Sequence, residues 1–283
     1  MASKTIPPGF LVQPASNIIV ERINFEDTVL PRYQGLYAVI LDNVLTASEC
    51  KALLEAAEAS NNGVWERAMV NIGGGKQRLM EDERCCGRII YDDQNLATAV
   101  WKRIEHLSDV QEIVRLENVP KIFGNGPAKR GELWTVSRPN ERMRFLKYVG
   151  GEYFRPHCDG SYETPDHKER TYFTLHLYLS QSEEGAELQG GATTFHSLDM
   201  KSRLDVVPKA GRVLLFQHRG LLHSGDDVLG GTKYTMRTDL LYRLEKKGEE
   251  PSKEFEMKLP NVGGAEPLQS RMQKAKEFRV EVG

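Results

Sequence analysis

From about Glu132 to Arg243 the chain is a succession of short apolar segments, rich in β-branched and aromatic residues and separated by Gly, Pro, Asp and Ser. Such segments are typical of strands, because branched and aromatic side chains fit a pleated surface while Gly and Pro mark turns. They read RMRFLKYV, GEYFRPHCD, RTYFTLHLYLS, GATTFHSL, LDVVPKAGRVLLFQH and KYTMRTDLLYR. Six strands in sequence predict an all-β body that is either closed or built from two sheets.

The first half of the chain carries helical signals instead. Thr46 and Glu49 have the spacing of a capping box, and Leu53, Leu54 and Ala57 continue at helical period, which predicts a helix from about Ala47 to Ala59. A second helix is predicted across QNLATAVWKRIEHL. The predicted fold class is therefore α+β, mainly β, with the N-terminal helices covering an outer face of the strands.

The chain is expected to divide into three parts. Residues 1–34, rich in Pro and polar residues, are expected to form an N-terminal arm on the surface. Residues 35–243 are expected to form one domain, with the helical support in about 35–131 and the strands in about 132–243. Residues 244–283 begin with a run of charged residues and are expected to be a solvated linker with a C-terminal tail.

Composition excludes several classes of protein. With 38 basic and 40 acidic residues among 283, and no basic run with interleaved aromatics, a nucleic-acid partner is not expected. The four cysteines form no Cys-x-x-Cys pair, which argues against a thiolate zinc site or a disulfide scaffold. No apolar run is long enough to span a bilayer and no signal peptide is recognisable, so we expect a cytoplasmic or nuclear protein that is not secreted.

The tripeptide His157-Cys158-Asp159, followed much later by His223, is the strongest functional signal. Successive side chains of a strand point to opposite faces, so His157 and Asp159 project the same way while Cys158 points back. Two imidazoles and one carboxylate on one side of an octahedral metal leave positions open for substrate and oxygen, which is the ligand set of non-haem Fe(II) oxygenases.

Several motifs in order resemble the catalytic domain of the prolyl 4-hydroxylase-like 2-oxoglutarate and Fe(II)-dependent dioxygenases. They are RFLKYVGGEYFRPHCDG, RTYFTLHLYLS, GGATTF, PKAGRVLLFQH, LLHSGD and GTKYTMRTDLLYR. The resemblance covers residues 35–243 and implies a double-stranded β-helix, or jelly roll. It also implies that His157, Asp159 and His223 bind the iron, with His218 as the rival for the last position.

The resemblance also implies a site for 2-oxoglutarate, whose distal carboxylate needs a cation in a mostly apolar barrel. Lys233 and Arg237 are the two candidates, and alternation places both on one face of a strand with Thr235. Arg237 is favoured because its planar fork can hold a carboxylate with two bonds.

Four further residues are expected near the co-substrate. Tyr148 and Tyr178 match family tyrosines, and Tyr178 is expected to donate its hydroxyl to 2-oxoglutarate. Thr174 and Thr193 point toward the same cavity by alternation and can add hydrogen bonds there.

The implied reaction consumes 2-oxoglutarate and O2, releases succinate and CO2, and hydroxylates an aliphatic carbon, with ascorbate as a supporting reductant. Asp159 favours hydroxylation, since related halogenases have a small residue in its place. The expected substrate is a free amino acid such as proline or pipecolate, or else a prolyl residue of a protein. Two alternatives stay open: a cupin-type metal oxygenase that needs no 2-oxoglutarate, and an inactive jelly roll that serves as an interaction module.

Overall fold

The computed structural model describes residues 10–11, 17–72, 76–182 and 187–245. Within these ranges most strands belong to two antiparallel sheets. The larger sheet contains β1 (Ile19–Arg22), β2 (Ala38–Asp42), β3 (Glu66–Arg67), β7 (Gly87–Asp92), β8 (Arg115–Glu117), β9 (Leu133–Pro139), β10 (Arg142–Val149), β12 (Glu169–Tyr178), β16 (Val213–Gln217) and β19 (Thr232–Leu244). The smaller sheet contains β6 (Arg84–Cys85), β11 (Tyr153–His157), β14 (Thr193–His196), β15 (Arg203–Val206) and β17 (His223–Gly225).

Four short strands and seven helices complete the description of these ranges. The strand pairs are β4 (Val70–Asn71) with β5 (Gln77–Arg78), and β13 (Gln189–Gly190) with β18 (Val228–Gly230). The α-helices are α1 (Ala47–Ser60), α2 (Gln94–Lys102), α3 (Ser108–Gln111), α4 (Pro120–Phe123) and α5 (Asn125–Lys129), with 3-10 helices at Phe25–Asp27 and Pro31–Tyr33. No described helix is long and apolar enough to cross a membrane.

The chain passes repeatedly between the two sheets, which is the topology of a jelly roll. The strand order is β10-β19-β12-β16 within the larger sheet and β11-β17-β14-β15 within the smaller one. Consecutive strands β10, β11 and β12 therefore lie in the large, small and large sheet, and β16, β17 and β19 repeat this alternation. The predicted fold, mainly β with supporting N-terminal helices, is confirmed.

Side-chain alternation along the larger sheet separates the core from the cavity between the sheets. On β12, Phe173, Leu175 and Leu177 join the cluster that also contains residues of α1 and α2. The residues between them, such as Thr174 and His176, point to the opposite face, because successive residues of a strand alternate. The same rule places Lys233, Thr235 and Arg237 of β19 on one face, and Lys233 and Arg237 line the cavity.

Helix α1 begins as the sequence predicts. The Thr46 side chain accepts a hydrogen bond from the Glu49 backbone N–H, and the Glu49 carboxylate accepts one from the Thr46 N–H. Glu49 also pairs with Arg103 at 2.6 Å. Helix α2 ends at Lys102, earlier than predicted, since Arg103 and Ile104 donate to carbonyls three residues back, at Val100 and Trp101.

The structure differs from the expected N-terminal arm in its second half. Ile19–Arg22 forms β1, which pairs along its full length with β2 at the edge of the larger sheet. A four-residue edge strand with alternating exposure carries little pattern, which explains why the sequence did not reveal it. The predicted linker and tail lie outside the described residues from position 246 onward.

Candidate active site

Two histidines and one aspartate meet at the open end of the small sheet. His157 ends β11 and His223 begins β17, and the antiparallel pairing places these two residues opposite each other. His157 Nε2 lies 3.6 Å from Asp159 Oδ1, and His223 Nε2 lies 3.8 Å from Asp159 Oδ2. The three ligand atoms all lie within 4.8 Å of one another, so a single ion can contact all three.

The second ring nitrogen of each histidine fixes its orientation. The Nδ1–H of His157 donates to the Arg155 carbonyl at 2.8 Å, and that of His223 donates to the Leu221 carbonyl at 3.1 Å. A carbonyl can only accept, so both rings are protonated at Nδ1 and present the Nε2 lone pair. This arrangement is typical of histidines that bind metals.

The carboxylate of Asp159 is also held in place. It accepts hydrogen bonds from Thr174 Oγ1 at 2.7 Å and from Arg237 Nη1 at 2.8 Å. Burial alone would raise the pKa of Asp159, but the charge of Arg237 lowers that pKa well below its ordinary value. Burial also lowers the pKa of His223 to about 3. The carboxylate is therefore ionised and the His223 imidazole neutral, as metal binding requires.

Asp239 forms a second layer behind this carboxylate. Its carboxylate lies 3.4 Å from Arg237 Nη2 and 3.2 Å from Arg144 Nη1. His218, the rival candidate ligand, has its Nε2 3.6 Å from Asp239 Oδ1. His218 is therefore a neighbour of Asp239 and lies outside the three-residue cluster.

A pocket beside the three residues contains a buried lysine. Lys233 is 2% exposed, and no described carboxylate lies within ion-pair distance of it. Its Nζ lies 5.2 Å from the ring centroid of Tyr148 and 5.9 Å from that of Tyr178. Burial lowers the pKa of Lys233 to about 8, so the amine is still mostly protonated at neutral pH. The pocket is lined by residues of both sheets: Arg84, Leu146, Tyr148, Phe154, His157, Thr174, His176, Thr193, Phe216, His223, Ser224, Gly225, Lys233 and Arg237.

Unpaired polar atoms cluster around this lysine. The Tyr178 hydroxyl, Thr235 Oγ1, His176 Nε2 and Arg237 Nε are buried and have no hydrogen-bond partner in the part of the chain that the structure describes. Strand pairing sets Tyr178 opposite Thr235 and His176 opposite Arg237. Because buried polar atoms are rarely left unpaired, such a cluster fits a polar ligand, and a buried cation among them fits a carboxylate.

The segment that carries most of this site matches a known family. The sequence model of the 2OG-Fe(II) oxygenase superfamily matches residues 143–238, which include the three clustered residues, Lys233 and Arg237. This segment is a 2OG-Fe(II) oxygenase domain. The predicted class of enzyme is confirmed by the match, as are its cofactors Fe(II), 2-oxoglutarate and O2.

Solved structures of prolyl hydroxylases are similar to this chain. A viral collagen prolyl hydroxylase from Paramecium Bursaria Chlorella virus-1 shares 20% identity over 75% of this chain and 98% of its own, with a TM-score of 0.46. A Pseudomonas putida prolyl-4-hydroxylase shares 16% sequence identity over 73% of this chain and 93% of its own, with a TM-score of 0.47. A Trichoplax adhaerens prolyl hydroxylase, solved with a hypoxia inducible factor peptide, shares 16% sequence identity over 72% of this chain and 82% of its own, with a TM-score of 0.47. A search of curated proteins found no match.

Two residues predicted for the co-substrate of the oxygenase have other partners. Arg237, favoured from sequence as the partner of the distal carboxylate, is already bound to Asp159 and lies near Asp239. The hydroxyl of Thr174 donates to Asp159. Both therefore support the candidate iron ligand, and the preference between the two basic residues shifts to Lys233.

The remaining residues predicted for the co-substrate are Tyr148, Tyr178 and Thr193. Tyr148 and Thr193 line the pocket, and the ring of Tyr178 lies near Lys233. The sequence assigned no role in the site to Asp239, Arg84 or His176. His176 and Asp239 lie within motifs of the resemblance that give them no role, and Arg84 lies on a two-residue strand far from those motifs.

Thr174→Val is expected to lower the Fe(II) affinity of the oxygenase about tenfold, because loss of an outer-layer hydrogen bond to a ligand costs about 10- to 100-fold. Thr194→Val is the matched control, because Thr194 lies on β14 of the smaller sheet and its hydroxyl donates to Asp205 and Asp226 instead of Asp159. Anaerobic Fe(II) titration measures the effect. Equal affinities of the two variants would contradict the role of Thr174.

Proposed function

We propose that the protein is an Fe(II)- and 2-oxoglutarate-dependent hydroxylase in which His157, Asp159 and His223 bind one iron. The proposal depends on one observation above all: both Nε2 atoms face an ionised carboxylate, and both Nδ1 atoms are committed to backbone carbonyls. A core histidine that serves packing alone needs neither feature. The free lone pairs on the Nε2 atoms of His157 and His223 are the ones that a divalent ion binds.

We propose further that Lys233 binds the distal carboxylate of 2-oxoglutarate. Its charge is buried without a carboxylate among the described residues, whereas Arg237 has two. The ring centroid of Tyr178 lies 5.9 Å from Lys233 Nζ, and the buried Tyr178 hydroxyl, which has no hydrogen-bond partner among the described residues, can donate to the same carboxylate. Burial raises the pKa of Tyr178, so this hydroxyl remains protonated and able to donate.

When bound, iron and 2-oxoglutarate supply the oxidative chemistry: O2 is reduced, the keto acid becomes succinate and CO2, and one oxygen atom enters an aliphatic C–H bond as hydroxyl. The protein's residues position these groups. Arg237 and Thr174 hold Asp159 in one orientation, and the rings of Tyr148, Phe154 and Phe216 line the pocket and exclude water from it. The proposed substrate is a free amino acid of the proline or pipecolate type, or a prolyl residue.

The test is a screen of free amino acids and proline-containing peptides. We expect at least one compound to increase succinate release and to gain the mass of one oxygen atom, with His157→Ala inactive in both measurements. Hydroxylated product without succinate would instead favour a metal oxygenase that needs no 2-oxoglutarate. Neither product from iron-loaded wild-type protein would contradict the proposal.

The charge of Lys233 predicts a pH dependence. Its pKa of about 8 means that the amine is charged below that pH and loses its charge above it. We therefore expect the KM for 2-oxoglutarate to be constant below about pH 7.5 and to rise about tenfold per unit above pH 8.5, because only the charged form binds a carboxylate. Lys233→Arg should flatten this profile up to pH 10. A profile that is unchanged by the substitution would contradict the role.

A further inference from the structure

Arg84 and Arg88 are two buried cations that form no ion pair with a residue in the described ranges. They are 9% and 5% exposed. Arg84 Nη1 reaches the Met69 carbonyl at 3.5 Å and Arg88 Nη1 reaches Gln77 Oε1 at 3.2 Å, while the Nε of each has no partner. Arg103, equally buried, instead meets Glu49 at 2.6 Å.

Arg84 belongs to the wall of the active-site pocket. It lies on β6 opposite Phe154 of β11, and its guanidinium carbon is 4.5 Å from the Phe154 ring centroid. The His157 imidazole stacks on the same ring at 3.7 Å. Arg84 is therefore one aromatic ring away from a candidate iron ligand, and it lines the same cavity.

The two arginines lie close enough for their charges to interact. Burial lowers the pKa of Arg88, and the charge of Arg84 lowers it further. Strand pairing sets Arg88 opposite Leu146, another residue of the pocket wall. The Glu66 carboxylate, opposite Arg88 on β3, raises the pKa of Arg88 but forms no ion pair with it. Two interacting buried like charges without an ion pair are unfavourable, and an anion bound beside Arg84 in the cavity lowers that cost.

The co-substrate does not account for Arg84. In the proposed function the distal carboxylate of 2-oxoglutarate meets Lys233, and its keto acid end binds the iron. Arg237 is occupied by Asp159. The pocket thus holds one more cation than the co-substrate and the metal ligands use.

We propose that Arg84, supported by Arg88, binds the carboxylate of the substrate that is hydroxylated. The planar guanidinium can hold a carboxylate with two parallel hydrogen bonds, and the unpaired Nε supplies one of the donors. The substrate is then a free amino acid or another small carboxylic acid. A prolyl residue inside a protein chain has no carboxylate to offer at this position. This inference rests on the proposed function and names its substrate class.

The experiment compares ligands that differ only in this charge. The probes are the free amino acids and pipecolate, their carboxamides, and peptides with an internal proline. Succinate release is followed for the wild type, Arg84→Gln and Arg84→Lys, and also for Arg78→Gln, which removes an exposed arginine from neighbouring β5. The KM for 2-oxoglutarate and the Fe(II) content are measured for each protein, as is the heat of ligand binding to the anaerobic Fe(II) and 2-oxoglutarate complex.

We expect one or more free acids to stimulate succinate release while their amides and the internal-proline peptides do not. Arg84→Gln should raise the KM for that acid about 10- to 100-fold and change the KM for 2-oxoglutarate less than about twofold, because a charged hydrogen bond to one ligand alone is lost. The KM of Arg84→Lys for the acid should lie between those of the wild type and Arg84→Gln. If Arg84→Gln does not fold, the KM of Arg84→Lys tests the inference instead. Arg78→Gln should match the wild type.

Three results would overturn the inference. The first is equal stimulation by acids and amides, or by internal-proline peptides. The second is a rise in the KM for 2-oxoglutarate in Arg84→Gln with no change for the acid, which would assign Arg84 to the co-substrate. The third is succinate formation that no free acid stimulates. By contrast, wild-type protein that binds iron and forms no succinate under any condition refutes the proposed function itself, and this inference with it.

Discussion

Asp159→Ala is expected to remove Fe(II) binding and turnover together. The carboxylate is the anionic member of the three-residue cluster, and both histidine Nε2 atoms face it. Losing it should weaken Fe(II) binding more than about 100-fold, which is the upper end of the cost of disturbing only the outer layer of a metal site. Anaerobic metal analysis after gel filtration, with succinate release measured in parallel, gives both numbers.

The same substitution leaves Arg237 without its main partner, so folding must be checked separately. Asp159→Asn keeps the shape of the side chain and the hydrogen bond from Thr174 while removing the charge. Asp82→Ala changes an exposed carboxylate and is the control for aspartate loss in general. Full iron content in folded Asp159→Ala protein would contradict the assignment of this residue as a ligand.

Lys233→Met is expected to have the second largest effect, on the co-substrate alone. Removing one partner of a buried, hydrogen-bonded charge pair costs about 2–5 kcal/mol, so the KM for 2-oxoglutarate should rise at least about 30-fold. The Fe(II) content should be unchanged, because Lys233 does not contact the three candidate ligands. Steady-state kinetics with varied 2-oxoglutarate measures the effect. Lys147→Met, on the opposite face of β10 next to Tyr148, is the matched control.

Arg237→Met separates the two basic residues. Arg237 binds Asp159, so its loss should reduce Fe(II) affinity before it changes the KM for 2-oxoglutarate. A larger rise in that KM for Arg237→Met than for Lys233→Met, at full iron content, would return the distal carboxylate to Arg237.

The fold, and the proximity of His157, Asp159 and His223, could be predicted from the sequence because both depend on strand periodicity. The run of short strands predicts a β body that is closed or built from two sheets, and alternation along β12 and β19 decides which residues face the cavity. Lys233 and Arg237 were placed on one face of β19 by this rule alone. The pairing of strands then brings His157 opposite His223, which is consistent with a shared metal.

The partners of the buried charges could not be predicted in the same way. Whether Arg237 meets Asp159 or a ligand depends on distances between β19 and the loop after β11, and a sequence pattern contains no such distance. Asp239, which supplies the second carboxylate, lies in the motif GTKYTMRTDLLYR, but the motif does not show which cation Asp239 meets. The sequence favoured Arg237 as the partner of the distal carboxylate because its planar guanidinium can form two hydrogen bonds. In the structure this guanidinium is paired with the Asp159 carboxylate.

Short strands are the second feature that the sequence did not predict. Strand β6 has two residues, and periodicity needs more than two positions to become visible. Its position at the edge of the small sheet, next to β11, is set by tertiary pairing. No sequence pattern around Arg84 therefore predicts that it lines the pocket.

Anaerobic titration of the iron-loaded protein with 2-oxoglutarate tests the central claim most directly. Chelation of Fe(II) by the keto acid gives a visible charge-transfer band that neither component gives alone. We expect the wild type to develop this band at one equivalent of iron, Lys233→Met to need far more 2-oxoglutarate, and Asp159→Ala to show no band. A folded, iron-loaded wild type that shows no band at saturating 2-oxoglutarate would contradict the assignment of this pocket as the co-substrate site.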